Sequence, residues 1–242
     1  MTTGTQVVVL DAAGTLVELR RSVGEAYAEL ALREGASLDP VAIDAGFRAA
    51  FRAAPPLAFG AYAPTSERDW WRRVAGAAIA SAGPLPVEFD FERFFDHAYD
   101  WFATDRAWRV PADVKPALRD LRRAGFPLAI LSNWDSRLEP LLEQLQLGGF
   151  FAQVIVSGRL PAAKPDRAAF DAARRALGVL SDHRPPIMVG DRIDHDIQAA
   201  IDAGWKAVWL DRSNLGGELP DGAERVADLR HVARLARVAD RS

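Results

Sequence analysis

"VVVLDAAGTLVEL" (residues 7–19) is a short apolar run that stops at a carboxylate. Val7, Val8, Val9 and Leu10 read as a buried strand, because branched side chains pack well on a pleated surface covered on both faces. Asp11 then stands at the strand's C-terminal tip. Gly14 and Thr15 follow, with Gly14 permitting a sharp chain path. A carboxylate in that place is a candidate nucleophile. The position two residues later is Ala13, a side chain that can neither give nor take a proton.

Beyond Arg20 the pattern is helical for about ninety residues. "SVGEAYAELALREG" (22–35) has Ser22 as its N-cap and Gly35 as its stop. "PVAIDAGFRAAFRAA" (40–54) opens on proline and pairs Phe47 with Phe51 one turn apart. "SERDWWRRVAGAAIASAG" (66–83) and "FDFERFFDHAYDWFATD" (89–105) give two further helices, and 55–65 is a proline-rich loop. Trp70, Trp71, Trp101 and Trp108 belong to this segment and read as core of a small lobe.

After Pro111 strands and helices alternate. "FPLAILS" (126–132), "AQVIVS" (152–157), "PPIMVGD" (185–191) and "KAVWLD" (206–211) are strands, and 213–222 is a surface loop. Such alternation implies right-handed crossovers and an α/β fold, a doubly wound parallel sheet with helices on both faces. The predicted organisation is a core of residues 1–16 and 109–242, interrupted by an all-helical insert at 17–108.

Composition narrows the function classes. The 242 residues carry a formal net charge of −3, which gives no basic field for nucleic acid or an anionic membrane. There is no cysteine, so disulfides and thiolate chemistry are excluded. No apolar run approaches the ~18 residues of a membrane span. The polar start "MTTGTQ" lacks a signal-peptide core, so a cytoplasmic protein is expected.

In doubly wound sheets ligands bind beyond the carboxyl ends of the strands. Four tips carry polar groups: Asp11; Ser132 and Asn133; the loop to Lys164; and Asp191, followed by Asp194 and Asp196. Attack by a carboxylate on a phosphate dianion meets charge repulsion, which Mg²⁺ relieves. Asp11 and Asp191 can supply two oxygens and the Ala13 carbonyl a third. Lys164 and Ser132 can hold the oxygens of the transferred group. Lys164 is one of three lysines beside 27 arginines. Arg20 and Arg21 are candidates for binding a substrate anion, and Thr15 for supporting Asp11.

The order "DxxGTL … LSN … KP … GDxxxxD" resembles the haloacid dehalogenase superfamily of hydrolases, the branch with a helical cap after the first strand. "RRSVGEAYAELA", "DWWRRV" and "LSNWDSRL" resemble the rhythmically expressed gene 2-like proteins. The resemblance implies Asp11 as nucleophile, Ser132 as phosphoryl ligand, Lys164 as the cation beside the intermediate, and Asp191 with Asp196 at a Mg²⁺ site. It implies a small phosphorylated metabolite as substrate. Phosphatase members carry an acid/base aspartate where this chain has Ala13, a loss worth ~10²–10⁴ in rate.

Alternatives remain. Phosphonoacetaldehyde hydrolase also has alanine there but needs a cap lysine, and residues 17–110 contain none. L-2-haloacid dehalogenase lacks the second acid but has no use for the Asp191/Asp196 pair. A binding or regulatory protein on this fold would tolerate Ala13. Whatever hydrolysis the chain performs, Asp11→Asn should abolish it in a substrate panel. Retention of most of the rate in that variant would remove Asp11 from the nucleophile's role.

Overall fold

The computed structural model describes residues 6–60, 64–179, 184–214 and 216–239. Residues 1–5 of the polar start and 61–63 of the loop 55–65 lie outside them. The chain divides into two compact units. One comprises Met1–Glu18, Ala58–Tyr62 and Val110–Ser242, the other Leu19–Leu57 and Ala63–Arg109. The sequence pattern placed the whole 55–65 loop in the helical insert. The Gly60 N–H instead donates to Leu160 O at 2.8 Å, a bond within the first unit.

Along the chain the elements are β1 (Val8–Leu10), β2 (Glu18–Leu19), α1 (Val23–Arg33), α2 (Pro40–Ala53), α3 (Pro64–Ala80), α4 (Phe91–Trp101), β3 (Trp108–Arg109) and α5 (Val114–Arg123). They continue with β4 (Leu128–Ser132), α6 (Leu138–Gln144), β5 (Gln153–Val156), α7 (Arg167–Ala176), β6 (Ile187–Gly190), α8 (Ala199–Asp202), β7 (Lys206–Leu210), β8 (Ala223–Val226) and α9 (Val232–Ala239).

The first unit is built on a six-stranded parallel sheet, order β5-β4-β1-β6-β7-β8. β1 lies at its centre, with Val8 in register with Leu128 on one side and Ile187 on the other. Their side chains are fully or almost fully buried, which is why the strands read as unbroken apolar runs. Because all strands run the same way, their C-terminal tips gather at one end of the sheet. β8 was not anticipated. Its sequence, Ala-Glu-Arg-Val, buries only Val226, as an edge strand can. β2 and β3 pair as a separate two-stranded sheet, too short for any periodicity to show.

The second unit contains four helices among its described residues. Ser22 caps α1 in a full capping box: its hydroxyl accepts from Glu25 N–H at 3.1 Å, and Glu25 accepts from Ser22 N–H at 2.8 Å. Asp39 caps α2, with Pro40 at the first helical position. The unit has its own core of Tyr27, Leu30, Ile43, Ile79, Phe94 and Phe95. Phe94 is fully buried and edge-packed on Tyr27, with ring centroids 5.3 Å apart. Trp70 is buried too, its indole donating to Pro55 O at 2.8 Å. No helix among the described residues is long and apolar enough to cross a membrane. Truncating Phe94 to alanine should cost the helical unit about 3–5 kcal/mol. Urea unfolding followed by tryptophan emission reads this directly; a loss below about 1 kcal/mol would place Phe94 outside the unit's core.

Candidate active site

Asp11, Asp191 and Asp196 each offer a carboxylate oxygen, and these oxygens lie within 4.8 Å of one another. The Asp11 N–H is held by Val189 O at 2.9 Å, which ties the tip of β1 to β6. Lys164 projects its ammonium between two of the acids, 2.8 Å from Asp11 Oδ1 and 2.5 Å from Asp196 Oδ1. Lys164, Asp11 and Asp196 are buried, and Asp191 is partly so.

Each group is positioned by backbone from another segment. A wide π-type turn over Ile193–Gln198 opens the helix that continues as α8. It brings Asp196 Oδ2 within 3.1 Å of the Arg192 N–H. Gly190 makes this possible, since a Cβ there would fall 2.3 Å from Asp196 Oδ2. Gly14, at φ +80°, is required twice over: by its left-handed backbone and because its Cβ would lie 2.3 Å from Asp191 Oδ2. The Trp209 indole donates to Asp191 O at 3.0 Å.

Some predicted residues have other partners than expected. The Asn133 side chain grips the Lys164 backbone at both ends, donating to Lys164 O at 2.7 Å and accepting from Lys164 N–H at 2.8 Å. It positions the lysine. The Thr15 hydroxyl is fully buried and lies 3.4 Å from Asp191 Oδ1, so it faces Asp191 and not Asp11. Ser132 ends β4, buried at the neighbouring tip. Ala13 is exposed, while Ala12 beside it is fully buried. Arg20 and Arg21 belong to the helical unit and are engaged there. Arg20 Nε donates to Asp105 O at 3.3 Å. Arg21 pairs with Glu29 and lies over the Trp101 ring. Asp194, which follows the fourth tip, pairs with Arg192 and accepts from the His195 N–H.

The sequence reading passed over Trp209, Arg212 and Asp113. Arg212 follows the β7 tip, so the rule that picked out the other tips would have reached it.

The electrostatics follow from a count. Three carboxylates face one ammonium, leaving two negative charges uncompensated when all are ionised. Burial, then the charges of Asp11 and Asp196, push the Asp191 carboxyl from 3.8 up to about 7. Burial raises Asp196 against the opposing pull of Lys164. Burial alone would lower Lys164, but Asp11 and Asp196 hold it above its ordinary value. A divalent cation would balance this charge, and its ligands would be hard oxygens. Three carboxylate oxygens within 4.8 Å of one another can face a single ion. The residues therefore fit a metal.

Residues 5–204 match the family model for haloacid dehalogenase-like hydrolases. The chain is 32% identical over 193 residues to human haloacid dehalogenase-like hydrolase domain-containing protein 3, covering 78% of this chain and 74% of that protein. It is 25% identical to the rhythmically expressed gene 2 protein of Drosophila melanogaster, over 83% of this chain and 80% of that one. A Thermus thermophilus phosphoserine phosphatase is 35% identical over 66% of this chain and 62% of its own. Among solved structures, the L-2-haloacid dehalogenase of Xanthobacter autotrophicus shares the fold, with TM-score 0.67 at 20% identity over 96% of this chain and 98% of that one. The chain belongs to the haloacid dehalogenase-like hydrolase family, in the branch of the rhythmically expressed gene 2 protein.

The raised Asp191 gives a signed prediction. Between about pH 4 and 7 the unfolded chain has released this proton while the folded chain keeps it, so rising pH favours unfolding. At about 1.4 kcal/mol per unit the fall is on the order of 4 kcal/mol. Thermal melts in EDTA should show it, and Asp191→Asn should flatten it. Identical pH profiles for the two proteins would contradict the assignment.

Proposed function

We propose that this chain is a Mg²⁺-dependent phosphomonoesterase acting on small phosphorylated metabolites whose leaving group departs without a proton. The observation that carries this reading is the cluster itself, one buried ammonium among three carboxylates at the strand tips. A dianionic substrate is repelled by such a cluster until a cation enters it. Asp11, Asp191 and the Ala13 carbonyl would hold Mg²⁺, with Asp196 completing the acidic set, and hard oxygen donors suit that ion. When bound, Mg²⁺ neutralises charge on the phosphoryl group and polarises it.

The chain's own residues do the rest. Asp11 attacks phosphorus, and the bond to the leaving oxygen breaks as the aspartyl phosphate forms. Water then attacks phosphorus, the bond from phosphorus to the Asp11 oxygen breaks, and inorganic phosphate leaves carrying the water's protons, which frees the Asp11 carboxylate. Lys164 steadies the charge on Asp11, and Ser132 at the adjacent tip would hold phosphoryl oxygens. Ala13 supplies no proton, so the leaving group must depart as a stable anion. Aryl and acyl phosphates meet this requirement. Serine alkoxide, the leaving group of phosphoserine, does not.

Ala13 also favours a second reading, a binding or regulatory protein that keeps the site but turns over little. A panel of phosphate esters and 2-haloacids, each with Mg²⁺ and with EDTA, separates the readings. Metal-dependent phosphate release supports the first. Binding without turnover supports the second, and halide release in EDTA would replace both by a dehalogenase.

Within the panel, native protein should favour aryl and acyl phosphates over alkyl ones. Ala13→Asp should gain most on alkyl phosphates, by up to ~10²-fold. Position 13 is exposed, so the new carboxyl needs no buried space. Brisk native hydrolysis of alkyl phosphates would mean that another residue provides the proton.

A further inference from the structure

Arg212 lies two residues beyond β7, in the first unit, and its guanidinium is bound on two edges. Toward one side, Nη1 donates to Gly14 O at 2.7 Å and Nη2 to Thr15 O at 2.8 Å. Toward the other, Nε and Nη2 meet the Asp113 carboxylate at 3.1–3.2 Å. Asp113 is held in turn, accepting from Leu229 N–H at 3.0 Å. Both side chains are largely buried, with 20% and 11% of their surface exposed. Two carbonyls of the loop after Asp11 are thus fixed by one rigid fork. A lysine cannot reproduce it, since an ammonium is a point donor without that planar geometry.

The bonds on either side show what this fixes. The Gly14 N–H donates to Val17 O at 2.8 Å, and Ala12 O accepts from Leu16 and Val17. The Ala13 carbonyl takes part in neither bond. It shares a planar trans peptide with the Gly14 N–H, so it points away from Val17. Any rotation of that peptide must move Gly14, whose own carbonyl Arg212 holds.

We propose that Arg212, oriented by Asp113, is a positioning residue that sets the loop between Asp11 and Leu16. This rests on the reading above in taking the Ala13 carbonyl as a metal ligand. Arg212 then acts on metal affinity and turnover through the backbone, without touching substrate. Groups in this position commonly alter metal affinity or activity 10–100-fold when removed.

The test uses full-length protein with Arg212→Lys, Arg212→Ala and Asp113→Asn, checked for folding by circular dichroism. Mg²⁺ affinity is measured by calorimetry, and hydrogen exchange of the Gly14–Val17 amides in EDTA. Arg212→Lys should bind Mg²⁺ roughly 10–100-fold more weakly and exchange faster at those amides. Millimolar guanidinium should restore part of the affinity in Arg212→Ala, a rescue that a general loss of stability would not show. Native Mg²⁺ affinity in a folded Arg212→Lys variant would overturn the proposal. If wild-type protein binds no Mg²⁺, the metal reading fails by itself. Exchange then decides: faster exchange in Arg212→Lys upholds the positioning role, and unchanged exchange overturns it. Should Arg212→Ala not fold, Arg212→Lys and Asp113→Asn carry the same comparison.

Discussion

One buried ammonium shared between two carboxylates governs the site, because Asp11, Asp196 and Lys164 have little water to screen them. Removing charges from water is costly unless they are paired at close range with their remaining donors and acceptors satisfied. Lys164 answers for two of the acids, and the Arg192 N–H adds a further donor to Asp196. Asp191 faces the Thr15 hydroxyl in place of an ammonium, and burial with the neighbouring acids pushes its carboxyl up to about 7. The site is thus short of positive charge, and that shortage selects what it can receive.

The surrounding backbone keeps this arrangement from relaxing. Carboxylates in mutual repulsion would swing apart if their chains allowed it. Here the strand tips are locked by register, and the turns behind them have no spare room. The absence of a side chain at Gly14 and Gly190 lets Asp191 and Asp196 lie against main chain. Asn133 and Trp209 fix the backbones of Lys164 and Asp191 from neighbouring segments. This is electrostatic preorganisation: the cost of assembling like charges is met in folding, not in each encounter with a ligand.

A shared fold does not select a reaction. A dehalogenase of the same architecture superposes over nearly the whole chain. Function lives in the groups placed at the tips. On the proposed reading, four polar groups gathered around a charge deficit suit an anionic substrate brought in with a cation. A halide displacement has no need of that deficit. On the same proposed reading, Ala13 then narrows the chemistry from the other side, by withholding a proton from the leaving group.

Much of this was legible in the residues alone. The four interior strands β4, β1, β6 and β7, and the edge strand β5, announced themselves as mainly apolar runs, since burial leaves little place for polar side chains. Asp11, Lys164, Asp191 and Asp196 could be picked out because parallel strands deliver their tips to one end. The edge strand β8 and the pair β2–β3 could not, because a half-exposed or two-residue strand carries no hydrophobic period. Nor could the partners of Asn133, Thr15 and Arg212. Asn133 meets Lys164 across 31 residues and Arg212 meets Gly14 across 198, distances over which no local pattern operates. The sequence by itself determined which groups stand at the strand ends. Only the tertiary structure decided which group each one faces, because hydrogen bonds between segments depend on where the packed backbone brings donors and acceptors together.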